Sequence, residues 1–199
     1  MAVNAGLKAP LMTATAWGGA CTGGLLPVMG GYCDAPWARE IEKLPPNVNY
    51  VFTPERNDAN IGSDFGKKET AGKKEEFPYL MAELGGGLQP TKHRRPVASA
   101  ADIGAMSLVK LGCGANLLGY YMYHGGSNPE GRNTTLQETK KTGSWNELPA
   151  YNYDFQAPVG EYGQVRESCR EIKLLSMFLH DFGSGLCTMK PEFPSPVMD

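Results

Sequence analysis

Phe77-Pro-Tyr-Leu-Met-Ala-Glu-Leu-Gly-Gly-Gly-Leu-Gln89 is the stretch that decides the fold. Pro78 punctuates it, Tyr79 to Ala82 is an apolar run of strand length, and Glu83 stands where that run stops. A glycine tract, Gly85 to Gly87, follows almost at once. An unpaired charge is costly to bury, so a buried strand seldom ends in an acid by chance. The glycines remove side chains, so a ligand or another backbone can come close. An acid at the C-terminal end of a strand, beside an opened backbone, is where a (β/α) barrel puts its chemistry. Taken alone, such an acid is more simply a helix cap or the partner of an arginine, and its neighbours have to decide.

Downstream, Gln89 to Pro96 is a polar loop. Ser99 to Leu111 has the spacing of an amphipathic helix, with Ile103, Met106, Val109 and Leu111 near one face. Ser99 with Asp102 resembles a capping box. Asn116 to Tyr123 reads as a strand, with His124-Gly-Gly-Ser-Asn128 at its end. A long polar loop, Pro129 to Pro149, leads to Tyr151-Asn-Tyr-Asp-Phe-Gln-Ala-Pro158. Gln164 to Asp181 is the clearest helix, with an apolar face of Ile172, Leu175, Met177 and Leu179 and with Gly183 closing it. The proline-rich residues 184–199 read as a linker toward a further domain.

Upstream, Lys67 to Glu76 is a solvated mixed-charge run and Arg56 to Phe65 a short irregular helix. Asn49 to Thr53 reads as a strand, Pro36 to Lys43 as a short helix, and Thr22 to Tyr32 as a glycine-bracketed loop. Ala9 to Ala16 is a strand candidate, ending at Trp17. Ala2 to Lys8 reads like the end of a helix, as if the pattern began earlier. Strands alternating with helices imply βαβ units and a parallel sheet, hence an α/β fold. A complete eightfold barrel needs ~250 residues. The 199 residues here suit half of one, or a smaller open sheet.

The net charge of -2 gives no footprint for nucleic acid or another polyanion. No run approaches the ~20 apolar residues of a membrane span, and Met1-Ala-Val-Asn lacks the basic and apolar regions of a signal peptide. A cytoplasmic location is expected. The five cysteines, Cys21, Cys33, Cys113, Cys169 and Cys187, form no C-x-x-C pair and no zinc spacing, and read as reduced, mostly buried thiols. No phosphate-binding glycine loop is present, because Gly85 to Gly87 follows an acid.

The strands end in Trp17, Thr53, Glu83 and Tyr123 with His124. Aromatic faces stack on sugar C–H surfaces, while acids and amides take hydroxyls. A carboxylate amid Trp, Tyr, His and Asn is therefore the vocabulary of a carbohydrate site. Each residue also has a plainer role: Trp17 as core, His124 satisfying backbone groups, Tyr153 packing a loop.

Tyr121-Met-Tyr-His-Gly-Gly-Ser-Asn128 resembles the Y-M-F-H-G-G-T-N-F block of glycoside hydrolase family 35, the retaining β-galactosidases. Tyr151-Asn-Tyr-Asp-Phe-Gln-Ala-Pro-Val-Gly-Glu-Tyr-Gly163 is similar to its S-Y-D-Y-D-A-P-L-x-E-Y-G block. The resemblance runs from about Lys8 to Asp181. It implies a (β/α)8 TIM-barrel type domain followed by β-rich domains. This chain would supply about strands five to eight over residues 1–183. Glu83 would be the catalytic nucleophile, attacking the anomeric carbon to form a covalent galactosyl-enzyme. Tyr153 would contact galactose, and His124, Asn128, Trp17 and Tyr123 would line the mouth. The substrate would be a β-galactoside with a terminal non-reducing β-D-galactosyl group. No metal or other cofactor is implied, and the remaining partner is the rest of the parent barrel.

Two departures matter. Many members carry an aromatic residue two positions after the nucleophile, where this chain has Gly85. The family's acid/base Glu follows an Asn on the fourth strand, which lies outside this alignment. Asn146-Glu147 is the only such pair here, and it falls on a loop after the eighth strand. A retaining glycosidase needs two carboxyls ~5–5.5 Å apart. The isolated chain is thus expected to be inactive on natural galactosides. The alternatives are another retaining β-glycosidase of the same barrel type, and a non-catalytic galactoside-binding or decayed fragment.

Overall fold

A computed structural model describes residues 2–12, 25–34, 47–56, 76–132, 148–193 and 195. Trp17, Cys21, the expected helix at 36–43, nearly all of the 56–65 and 67–76 segments, and Asn146-Glu147 lie outside the described residues. Three strands, β1 (Met29–Gly31), β2 (Leu80–Gly85) and β3 (Leu117–Tyr121), form a parallel sheet in that order. Helix α1 (Ala100–Gly112) makes the crossover from β2 to β3, and α2 (Glu167–Leu186) packs on α1. A short antiparallel pair, β4 (Gly126–Ser127) with β5 (Asn152–Tyr153), stands beyond the C-terminal end of β3. Met12 makes an isolated parallel bridge to Leu26, which is what remains in view of the expected strand at 9–16.

The βαβ unit forms where the sequence says it should. Ser99 caps α1 by accepting from Asp102 N–H at 3.1 Å, while Asp102 Oδ2 accepts from Ser99 N–H at 2.8 Å. Ile103, Met106 and Val109 face inward, at steps of three positions along one stripe, and meet Met29, Met81, Leu84 and Ile172 in one buried cluster. Each fully buried side chain of this kind contributes ~1.5–3 kcal/mol.

The alternation along β2 is broken once. Met81 and Leu84, three residues apart, belong to the same buried cluster, although strict alternation would put them on opposite faces. The register to β1 slips between Met29 and Gly30, and that to β3 slips between Met81 and Leu84, so the extra residue is absorbed as a bulge. Glu83, next to Leu84, then faces away from that cluster.

Four expectations are corrected. Residues 22–32 are not loop throughout, because Met29–Gly31 is β1. Asn49 to Thr53 is not a strand: Val48–Tyr50 forms a 3-10 turn. Its strand-like composition is overridden by asparagines, since Asn47 Oδ1 accepts from Asn49 N–H at 2.8 Å and both amide groups donate to Tyr32 O. Glu83 does not end its strand, which continues to Gly85, and it pairs with Gly30 of β1. Gly183 does not close α2, because its carbonyl accepts from Cys187 N–H and the helix runs to Leu186. The linker reading thus loses its first three residues to the helix. Met177 of the expected apolar face is 58% exposed, while Ile172 is buried. Cys33 and Cys113 are buried free thiols, Cys169 is half-buried and Cys187 exposed.

The glycine tract is filled by protein. A Cβ at Gly85 would meet the Tyr32 ring at 2.5 Å, one at Gly86 the Met122 carbonyl at 2.2 Å, and one at Gly87 the Phe155 carbonyl at 2.1 Å. Backbone cannot yield as a side-chain tip can. Gly87→Ala is expected to destabilise the chain by ~1–3 kcal/mol or more in chemical denaturation. Gly126→Ala, whose Cβ would meet nothing within 4 Å, should change stability by no more than about 0.5 kcal/mol.

Candidate active site

Glu83 is half-buried near the C-terminal end of β2. Tyr32, one residue beyond β1, donates its hydroxyl to Glu83 Oε1 at 2.6 Å. Tyr32 is itself 1% exposed and is held from behind, its carbonyl accepting from the side chains of Asn47 and Asn49. Parallel pairing of β1 with β2 therefore brings a fixed donor to the acid.

Tyr121, the last residue of β3, stands on the other side. Its hydroxyl hydrogen-bonds that of Tyr153 in β5, and the rings meet edge to face at 6.2 Å. Phe155 completes the cluster, 5.4 Å from the Tyr121 ring and 4.9 Å from that of Tyr153. Tyr121 and Tyr153 pack against the buried cluster that contains Tyr32 and Phe155, and the Glu83 charge raises both the Tyr32 and the Tyr121 phenol.

Burial pushes the Glu83 carboxyl above the ordinary carboxylate range, and the Tyr32 hydroxyl, which favours the ionised form, opposes that push. The Tyr32 phenol is driven far above its usual value, first by burial and then by the Glu83 charge. Tyr121 is raised chiefly by burial and also by its bond to Tyr153. Both phenols thus stay neutral donors beside an acid that holds its proton more tightly than usual.

The turn that carries Tyr153 is braced on several sides. Asp154 takes Arg166 Nη2 at 2.6 Å, and its Oδ1 accepts from Glu161 N–H at 2.6 Å. The Glu161 carboxylate bonds Ser127 Oγ and accepts from Asn152 Nδ2 at 2.5 Å, one residue from each strand of the β4–β5 pair. Asp34 and Arg94, each 5% exposed, make a buried ion pair that ties the 89–96 loop to the end of β1. These carboxylates are committed to partners of their own.

Of the residues expected at the site, Glu83 bonds Tyr32 and Tyr153 packs against the cluster that contains Tyr32. His124 bonds its neighbour's carbonyl through Nδ1 and is exposed. Asn128 donates to Ala150 O at 3.3 Å, along the ribbon. Tyr123 directs its hydroxyl to Cys169 of α2, at 3.9 Å, rather than to Glu83. Thr53 caps a turn, accepting from Glu55 N–H. Trp17 lies outside the described residues. Sequence reasoning missed Tyr32 and Tyr121; only the run Gly30-Gly31-Tyr32, an aromatic after an opened backbone, hinted at the first.

A cavity of about 610 Å³ lies elsewhere, between α1, α2 and the start of β3, with Phe52, Leu108, Phe178 and Leu186 in its walls. It lies at the opposite end of β3 from Tyr121, and its wall is mostly apolar, with Cys187 and Lys190 as the titratable side chains among the described residues. Among the described residues, no three His, Cys, Asp or Glu side chains gather where they could hold a metal ion, and no helix is long and apolar enough to cross a membrane. No protein-family model and no curated protein matches the chain.

Two titrations follow. Tyr32→Phe removes the bond that favours the carboxylate, so the Glu83 pKa, read by NMR of the side-chain carboxyl, should rise further. A raised folded-state pKa means that Glu83 weakens folding once the unfolded carboxyl ionises. Below the unfolded value that penalty is absent, and it grows as pH rises through the folded value. Glu83→Gln should therefore be more stable than the parent chain at pH 7 and lose that advantage in acid.

Proposed function

We propose that Glu83 is the nucleophile of a retaining β-galactosidase, and that this chain supplies about strands five to eight of its (β/α)8 catalytic barrel. The observation that carries the reading is the Tyr32–Glu83 hydrogen bond at the C-terminal end of a parallel sheet, with Tyr121 and Tyr153 packed against the cluster that contains Tyr32. The block resemblance at Tyr121 to Asn128 and Tyr151 to Gly163 gives the sugar.

In this reading Tyr32 holds Oε1 and turns the carboxylate, and Oε2 attacks the anomeric carbon as the glycosidic bond breaks. A galactosyl ester forms on Glu83 and the aglycone oxygen takes a proton. Water, giving a proton back to the acid that protonated the aglycone, later attacks the same carbon and releases the Glu83 carboxylate. The Tyr121–Tyr153 pair supplies an apolar wall and hydroxyls for the sugar. In this reading the proton donor is a second carboxylic acid, contributed by the barrel's fourth strand. General acid–base help is worth roughly 10²–10⁴-fold, so lactose should not be turned over by the chain alone.

Dinitrophenyl β-galactoside needs no acid, and azide needs no base. The expected result is dinitrophenolate release that turns over only when azide is present and yields β-galactosyl azide, with no β-azide from Glu83→Gln. β-Galactosyl azide, with retained configuration, that survives in Glu83→Gln removes Glu83 from the role, and equal yields from dinitrophenyl β-glucoside remove galactose as the preferred sugar.

A further inference from the structure

We propose that Gln89 is the positioning residue for Tyr153, gripping the backbone on both sides of that ring to hold it against Tyr121 and the Glu83 pocket. Gln89 is fully buried, six residues beyond Glu83 on the same chain segment. Its Nε2 donates to the carbonyl of Asn152 at 3.2 Å, and its Oε1 accepts from Phe155 N–H at 3.0 Å. Tyr153 lies between those two contacts. A single planar amide thus serves one acceptor and one donor, which neither a carboxylate nor an apolar side chain can do.

The grip matters because the turn is not one the chain adopts unaided. Phe155 and Gln156 lie in the left-handed region, at φ +55° and +52°. Such residues persist only where their surroundings over-determine them. The return contact comes from Gln156, whose Nε2 donates to Leu88 O at 2.7 Å and Pro96 O at 2.8 Å. The Phe155 and Gln156 carbonyls lie in the space a side chain at Gly87 would need. The segment that follows the acid and the segment that bears the tyrosine are therefore locked by reciprocal glutamines, and Gln89 is the one that straddles Tyr153.

The positioning claim stands on this geometry; its catalytic consequence rests on the proposed nucleophilic role of Glu83. Two variants of the full chain test it. Gln89→Met keeps the volume and removes both bonds. Gln89→Glu keeps both only while its carboxyl is protonated, when the O–H can donate to Asn152 O. Amide exchange at Phe155 and the contact between the Tyr121 and Tyr153 rings are read by NMR across pH. The rate of dinitrophenolate release from dinitrophenyl β-galactoside is read alongside.

In Gln89→Met, Phe155 exchange should speed up at least ~tenfold with the α1 amides still protected, and the ring contact should be lost. Gln89→Glu should match the parent chain in acid and, in alkali, lose the ring contact while a carboxylate oxygen still protects the Phe155 N–H, a pH dependence that simple loss of packing does not produce. Dinitrophenolate release should fall roughly ten- to a hundredfold in step. Unchanged Phe155 exchange and an intact ring contact in both variants overturn the positioning claim. If those NMR changes occur while the parent chain releases no dinitrophenolate, Gln89 positions Tyr153 and the galactosidase reading fails instead.

Discussion

Backbone meets backbone at Gly86 and Gly87, and the rest of the site depends on that approach. The Met122 carbonyl stands where a side chain at 86 would be, and the Phe155 and Gln156 carbonyls where one at 87 would be. Only because these positions are bare can the ends of β2 and β3 and the turn after β5 come together around Glu83. Gly85 does the same for the Tyr32 ring, which occupies the space a side chain at 85 would need and carries the hydroxyl that reaches the acid. The bulge in β2 is the second requirement, since without it Leu84 and Glu83 would exchange faces and the acid would point into the helix-covered core.

Burial and hydrogen bonding pull the acid in opposite directions. The apolar surroundings raise the Glu83 pKa, while the Tyr32 hydroxyl lowers it. A carboxylate that is poorly solvated yet oriented by one neutral donor suits nucleophilic attack better than one fully paired with a cation. The charged pairs nearby, Asp34 with Arg94 and Asp154 with Arg166, brace the loops around the pocket instead.

What the sequence disclosed follows the range of the forces involved. Helix α1, with its cap and its stripe, and helix α2 are set by local spacing, and both were legible. Strand β3 was legible from its apolar run. Strand β1 was not, because Met-Gly-Gly carries little strand signal and is fixed by pairing with β2 and by the Asn49 side chain against Gly31. The turn at Val48–Tyr50 escaped because asparagine side chains, not backbone propensity, decide it. Glu83 stood out as a charge in an apolar run. Its partner Tyr32 lies 51 positions away and meets it only through parallel pairing, which no local pattern encodes.

The central claim is that Glu83 forms a bond to a sugar. A 2-deoxy-2-fluoro-β-galactoside with a dinitrophenyl leaving group slows both steps of a retaining mechanism, but the activated leaving group still lets the first proceed. Intact-mass measurement followed by peptide mapping then locates the adduct. The account predicts one 2-deoxy-2-fluorogalactosyl group on the peptide containing Glu83, absent from Glu83→Gln and slowed in Tyr32→Phe. Labelling at any other residue, or a folded chain that remains unlabelled, would contradict it.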